Sequence, residues 1–427
     1  MSSQEPAAGR ILFRNARIFD GDSEHLVENH DVVVSGAFIE DVIPMSPEMP
    51  PDAEIIDCAG RVLMPGLIDV HVHVYLAGLN LTRLAQTPIT YLAHYAAQFL
   101  HACLDRGFTS VRDVGGADVG IANAIRDGLL TSVPRLLYGG RVITQTGGHG
   151  DFRPGDHRLD DIPCCGCGVH ANPLAVVADG ADAVRRAIRE ELRRGASHIK
   201  IMASGGIASP TDPLERSQYS DEEIRAAVDE ATRAGSYVAA HCHPAQAVRR
   251  AAELGIRSIE HATLVDRESA EIVAARGAYA VPTMATIFAL AEEGEQLGLP
   301  AVSLEKLRRV SNKAIDSLRI LRSAGVKMGF GTDLLGPQHV RQCTEFTLRA
   351  QALPAIDILR SACTVNAELI GHAGKLGCIR KGAAADLLLV NGNPLDDISI
   401  LASNGEALSA IVKDGKFHKR PIQRERR

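Results

Sequence analysis

The sequence predicts an α/β fold: a (β/α)8 TIM barrel with a small β-sandwich domain built from both chain termini. Three observations predict it. Both ends of the 427-residue chain carry short apolar runs closed by turn residues. The middle alternates strand-like and helix-like segments. Eight such strands fall within ~300 residues, a length one α/β barrel can occupy.

The N-terminal part of the composite domain covers 1–62. Ile11 to Phe19 alternates in part, Val32-Val33-Val34 follows, then Ala37 to Ile43, with Asp20-Gly21-Asp22 as a turn. The C-terminal part covers 375–427. Asp386-Leu387-Leu388-Leu389-Val390 is closed by Asn391-Gly392-Asn393-Pro394, and Leu408 to Val412 by Asp414-Gly415. One face of a small sheet must be buried on something else, and chain termini often lie close together, so the two ends predict one domain. The basic tail from Lys419 to Arg427 reads as a solvated end.

The barrel is expected over 63–374. Its strands are predicted at 67–73, 109–113, 136–143, 198–202, 237–241, 257–261, 278–282 and 326–332. Thr87-Pro88 starts a helix, with an N-cap residue before Pro at the first helical position. Ser220-Asp221-Glu222-Glu223 is a capping box, and that helix ends at Ala234-Gly235. A helix over 182–194 ends at Gly195 in the same way.

Composition narrows the function classes. A hydrophobic fraction of 45% with 23% charged residues fits a globular enzyme and excludes a disordered or collagenous chain. No apolar run reaches the ~20 residues that cross a bilayer. The start, MSSQEPAAGR, lacks a basic segment followed by an apolar one, so a cytoplasmic location is expected. A net charge of −6 argues against nucleic-acid or anionic-membrane partners. The 9 Cys are odd in number and scattered, which reads as reduced thiols. No GxGxxG follows a strand and no GxxxxGK[ST] is present, so nucleotide cofactors lack support.

Barrel active sites lie at the C-terminal strand ends. The first predicted strand ends in His71-Val72-His73, the fourth carries Lys200, the fifth ends in His241, the sixth in His261, and the eighth in Gly331-Thr332-Asp333. Residues i and i+2 of a strand share a face, so His71 and His73 can reach one metal ion. A lone histidine is more often a structural residue. Ligand-type residues at five strand ends point to a metal site instead. An ammonium there would be repelled by cations and disfavoured by burial, so Lys200 is neutral, displaced or chemically modified, unless its head lies in solvent. A modification bearing a carboxylate would turn it into a bridging anion.

Pro65-Gly66-Leu67-Ile68-Asp69-Val70-His71-Val72-His73 resembles the opening signature of the amidohydrolase superfamily. Lys200, His241, His261 and Asp333 match its remaining ligand positions in order. Gln145-Thr146-Gly147-Gly148-His149-Gly150-Asp151, the run from Lys200 to Gly206, and Gln218-Tyr219-Ser220 resemble the branch of Xaa-Pro dipeptidases and ochratoxinases. The chain looks most similar to bacterial ochratoxin-degrading amidohydrolases. The resemblance implies two divalent ions, zinc foremost, with manganese and cobalt able to share the ligands. It implies His71 and His73 on one metal, His241 and His261 on the other, and carboxylated Lys200 as the bridge. Asp333 would be both a ligand and the general base, then acid. The implied reaction is removal of the C-terminal amino acid from an N-acyl amino acid or dipeptide, ochratoxin A included, giving ochratoxin alpha and phenylalanine. A homo-oligomer is also implied, an octamer being one such assembly.

Such a substrate carries a free carboxylate. His149 and Tyr219 are the candidates to hold it, because both fall in loops after strands and can donate hydrogen bonds. Each also has a bland reading, His149 within a Gly-rich turn and Tyr219 packed ahead of the capping box. His243, two residues beyond His241, faces the same way; it is a substrate contact, a further ligand or a structural residue. Cys164-Cys165-Gly166-Cys167 with His170 lacks a second Cys pair and reads as part of a loop over 151–179 that covers the barrel mouth without metal. Two other classes compete. A cyclic-amide hydrolase of imidazolonepropionase or hydantoinase type would use the same metals. A non-catalytic assembly protein would have lost ligands, and none is missing here.

Overall fold

The computed structural model describes residues 9–421, apart from 47–51, 85, 154–173 and 210–211. Cys164, Cys165, Cys167, His170 and most of the expected mouth loop lie outside the described residues.

Two sheets consist wholly of parallel strands. One has seven, in the order Ala175–Val177, Val142–Thr144, Ile199–Met202, Val238–Pro244, Ser258–Leu264, Tyr279–Val281 and Lys327–Met328. The other has three: Leu67–Val72, Phe108–Asp113 and Arg135–Tyr138. Their strands are buried throughout Leu67–Val72, Phe108–Asp113 and Ile199–Met202. Parallel strands buried on both faces read as continuous apolar runs, which is why polar residues inside them are informative.

Helices cover these strands. Ile89–Asp105 buries Leu92, Ala96, Phe99, Leu100, Cys103 and Leu104 on one stripe, and each Leu or Phe so buried is worth about 2 kcal/mol. Pro88 is the N-cap of this helix, so the helix starts one residue later than the Thr87-Pro88 pattern predicts. The capping box at Ser220 forms as expected: Glu223 N donates to Ser220 Oγ at 3.3 Å, and Ser220 N donates to Glu223 Oε2 at 2.6 Å. It starts the helix Asp221–Arg233. The helix Ala181–Arg193 likewise ends just before Gly195.

Two predicted strands differ. The run 136–143 is not one strand; Arg135–Tyr138 and Val142–Thr144 belong to different sheets. Gly140 between them has φ +72°, a left-handed conformation that breaks an extended strand and that only glycine adopts freely. The run 326–332 is a ladder strand only at Lys327–Met328. Beyond it the chain bonds to the first strand of the other sheet, with Val70 N donating to Phe330 O at 2.9 Å and Asp333 N to His71 O at 2.8 Å.

The chain ends form two further sheets. Strands Phe38–Pro44, His30–Ser35, Arg10–Arg14 and Ala53–Asp57 form one, in that order. The other runs Lys416–Lys419, Leu408–Lys413, Leu387–Val390, Val62–Pro65 and Arg17–Ile18. Residues from near both ends therefore share a sheet. Phe13, Val32 and Val34 also pack in one buried cluster with Leu387, Leu389, Ala410 and Val412. No helix among the described residues is long and apolar enough to cross a membrane.

Candidate active site

One cavity gathers the ligand-type residues. Its walls include His71, His73, His149, Lys200, His241, His243, His261 and Asp333, with apolar surface from Leu76, Val142, Phe152, Met202, Ile287 and Leu290. Strand alternation does the placing: His241 and His243 point the same way from Val238–Pro244, and buried Cys242 lies between them.

Two groups of donor atoms lie close enough to hold a metal ion among the described residues. They are His71, His73 and Asp333, and His241, His243 and His261, with the donor atoms of each group within 4.8 Å of one another. Asp333 Oδ1 lies 3.3 Å from His71 Nε2 and 3.2 Å from His73 Nε2. Yet His71 Nε2 is buried without a hydrogen-bond partner, a state that costs about 1–3 kcal/mol unless something else satisfies it. A lone pair offered to a cation fits that atom. The donor set, imidazoles with one carboxylate, also fits a divalent metal.

Backbone geometry at the site is unusual. His261, Ala262 and Asp333 have φ of +73°, +50° and +54°. Non-glycine residues in this region cost about 1 kcal/mol or more each, and they collect at functional sites. Here the two titratable ones line the cavity.

Burial governs the charges. It pulls the Lys200 pKa down despite the opposing charges of Glu260 and Asp333, which favours a neutral amine. It holds His241 and His261 well below the usual histidine value and His243 at about 3, so these rings are neutral and able to ligate. Burial acts to raise Asp333, but the charge of His71 and the close contacts with His71 and His73 outweigh it and keep its pKa well below the ordinary carboxylate value. For His73, burial is outweighed by the hydrogen bond and charge of Asp333, and its pKa rises.

Behind these rings lies a layer that sequence reasoning missed. Glu260 Oε2 meets His71 Nδ1 at 2.7 Å, and Arg112 Nη2 donates to Glu260 Oε1 at 2.9 Å; both partners of that ion pair are fully buried. Asp69 accepts from Thr332 Oγ1 at 2.7 Å and from Gln342 Nε2 at 3.0 Å, tying the first strand to the Asp333 segment. His73 Nδ1 meets Gly115 O at 2.8 Å, His243 Nδ1 meets Thr263 Oγ1 at 2.7 Å, and His261 Nδ1 meets Thr283 Oγ1 at 2.8 Å. Such partners fix ring orientation and tautomer. The available signal was a charge inside an apolar strand, as in Val111-Arg112-Asp113 and Ile259-Glu260-His261.

Tyr219 requires a correction. It does not line the cavity. Its hydroxyl donates to Ala178 O at 3.0 Å, its backbone N is bonded to Gln145 Oε1, and the residue is only 6% exposed. Its backbone turns through φ +56° just before the capping box, which aims the ring at the neighbouring loop. Tyr219→Phe is expected to cost about 1 kcal/mol of stability, read as a lower denaturation midpoint, for the lost hydrogen bond. The ratio of KM values for a free-acid substrate and its amide should not move.

The amidohydrolase family pattern matches residues 62–417. The ochratoxinase of Aspergillus niger is 34% identical over 387 residues, spanning 84% of this chain and 76% of that protein. The crystal structure of an amidohydrolase superposes with a TM-score of 0.93 at 45% identity, covering 97% of this chain and all (100%) of that one. A prolidase complexed with N-methylphosphonate-L-proline superposes with a TM-score of 0.91 at 45% identity, covering 96% of this chain and 100% of the prolidase. These neighbours imply a TIM barrel for the parallel strands. With the family pattern spanning most of its length and relatives of this kind on both counts, the chain belongs to the amidohydrolase family, in the branch of ochratoxinase and the Xaa-Pro dipeptidases.

Proposed function

We propose that this hydrolase splits the amide bond of an N-acyl amino acid or dipeptide and releases the C-terminal amino acid. Convergence of His71, His73, Lys200, His241, His261 and Asp333 on one cavity carries the reading. His71 and His73 would hold one divalent ion and His241 and His261 the other, with zinc the first candidate. The lowered pKa of buried Lys200 supports carbamylation: the neutral form of its Nζ would bond the carbon of CO2 as one C=O π pair moves to oxygen and one N–H proton leaves to solvent, and the carbamate would be an anionic ligand for ions held by the two histidine pairs. Bound metal ions supply Lewis acidity toward water and the scissile carbonyl.

The protein's own groups do the rest. Asp333, ionised and beside both His71 and His73, accepts the proton of the attacking water and delivers it to the leaving nitrogen. His149 and His243 are the groups that meet the substrate carboxylate. The apolar walls suit an aromatic acyl group or side chain, so ochratoxin A belongs among the first substrates to try, with ochratoxin alpha and phenylalanine as products.

The same reading joins the two parallel sheets into one closed barrel over 63–374. Its support is the pair of backbone bonds at their edges, Val70 N to Phe330 O at 2.9 Å and Ser197 N to Tyr138 O at 2.9 Å. It also takes 1–62 and 375–427 as one β-sandwich, supported by the core their sheets share. The buried, unpaired state of all six described cysteines supports a reducing compartment such as the cytoplasm.

The test is hydrolysis by zinc-loaded protein of a mass-spectrometric panel of Xaa-Pro and other dipeptides, N-acyl-phenylalanines including ochratoxin A, hydantoins and imidazolones. Release of a free C-terminal amino acid, abolished by a chelator and restored by zinc, is the expected result. Turnover of the cyclic amides alone would overturn the substrate class while keeping the metal site.

A further inference from the structure

We propose that Asp212 and Lys306 are positioning residues that set the pose of His149 and, through it, the hold on the substrate carboxylate; this rests on the reading that His149 meets that carboxylate. His149 comes from the Gly-rich turn after Val142–Thr144. Asp212 meets its ring from a different loop. Its carboxylate is fully buried, and Oδ2 lies 3.4 Å from His149 Nδ1, a close polar contact rather than a hydrogen bond, since Nδ1 is buried without a hydrogen-bond partner. A face of the ring stacks on His241, centroids 4.4 Å apart. Gln218 links the two partners, accepting from His149 N at 2.9 Å and donating through Nε2 to Asp212 Oδ2 at 3.3 Å. Asp212 also accepts from Gly206 N at 3.1 Å.

Lys306 anchors this arrangement from outside. It lies on the helix Ala301–Ser323, and its Nζ donates to Gly206 O at 3.0 Å, Ser209 O at 2.7 Å and Asp212 O at 2.5 Å. All three carbonyls belong to the loop that contributes Ile207 and Ala208 to the cavity wall. A lysine only 7% exposed, with its three donors spent on one loop, costs desolvation that a surface role would not require. Gly206 completes the site by absence: a Cβ there would come within 2.3 Å of His149 Cε1 and 2.5 Å of its Nε2. The ring therefore occupies the place a side chain would take.

The experiment compares zinc-loaded wild type, Asp212→Asn, Gly206→Ala and Lys306→Met on N-benzoyl-phenylalanine and N-benzoyl-phenylalaninamide, with metal content and melting temperature measured alongside. Asp212→Asn removes the charge that holds the ring. Gly206→Ala displaces the ring by contact and leaves Asp212 intact. Both should raise KM for the free acid about tenfold, the loss of the one charge-assisted hydrogen bond from His149 to the substrate carboxylate, with a much smaller change for the amide and with two metals per chain retained. Lys306→Met should shift the acid-to-amide KM ratio in the same direction. Equal effects on acid and amide, or lost metal accounting for lost activity, would overturn the positioning role. If wild type itself does not distinguish acid from amide, the carboxylate reading of His149 fails and the proposal with it. If wild type prefers the acid and the variants keep that preference, only the positioning role fails.

Discussion

Asp333→Asn is expected to lower kcat by about 10²–10⁴-fold, the range for a lost general base, while most of the metal stays bound. The two effects separate because the substitution removes basicity but keeps an oxygen donor in place. In the wild type the carboxylate lies 3.3 Å from His71 Nε2 and 3.2 Å from His73 Nε2, and the charge and hydrogen bonds around it keep its pKa well below the ordinary value. An amide in the same position cannot accept a proton from water. Turnover by the variant under metal saturation is the measurement, with metal counted by mass spectrometry. Unchanged kcat at full metal occupancy would remove Asp333 from proton transfer. A parallel fall in metal and activity would make it a ligand only.

Lys200→Ala is expected to act differently, losing metal and activity together by orders of magnitude. Lys200 is 2% exposed, and burial drives its pKa down. As an ordinary ammonium it would repel any cation held by the surrounding imidazoles; as a carbamate it would attract two. Alanine would remove that proposed bridge between the pair His71 and His73 and the pair His241 and His261. Metal content per chain and kcat should therefore fall in proportion. The melting temperature of the metal-free protein should be read alongside, because truncating a fully buried side chain also leaves a cavity. Two bound metals with full activity in the variant would exclude the bridging role, and mass spectrometry of the intact wild type under CO2 would look for the carbamate directly.

Much of the architecture could be read before any coordinates. The strand-and-helix alternation, the capping box at Ser220 and the Gly stops at Gly195 and Gly235 are local signals, and each depends on a few adjacent residues. The same holds for the pairing of His71 with His73 and of His241 with His243. Period-2 alternation puts both members of each pair on one face whatever surrounds the strand. Where a local cue competed with a longer-range one, reading by pattern failed. The apolar run 136–143 looked continuous, but Gly140 turns it and sends its halves to different sheets. Tyr219 reads equally as a carboxylate contact or as a residue packed ahead of the capping box, and only the structure settles on packing, with its hydroxyl on Ala178 O.

The sequence by itself determined which residue types reach the strand ends, because side-chain direction along a strand follows from covalent geometry. Only the tertiary structure decided what stands behind them. Glu260 lies 189 positions from His71 and Asp212 comes from a loop far from His149 in the chain, so no spacing rule connects either pair. Such partners are selected by the need to satisfy buried charge, and that need arises only once the chain has excluded water from the site.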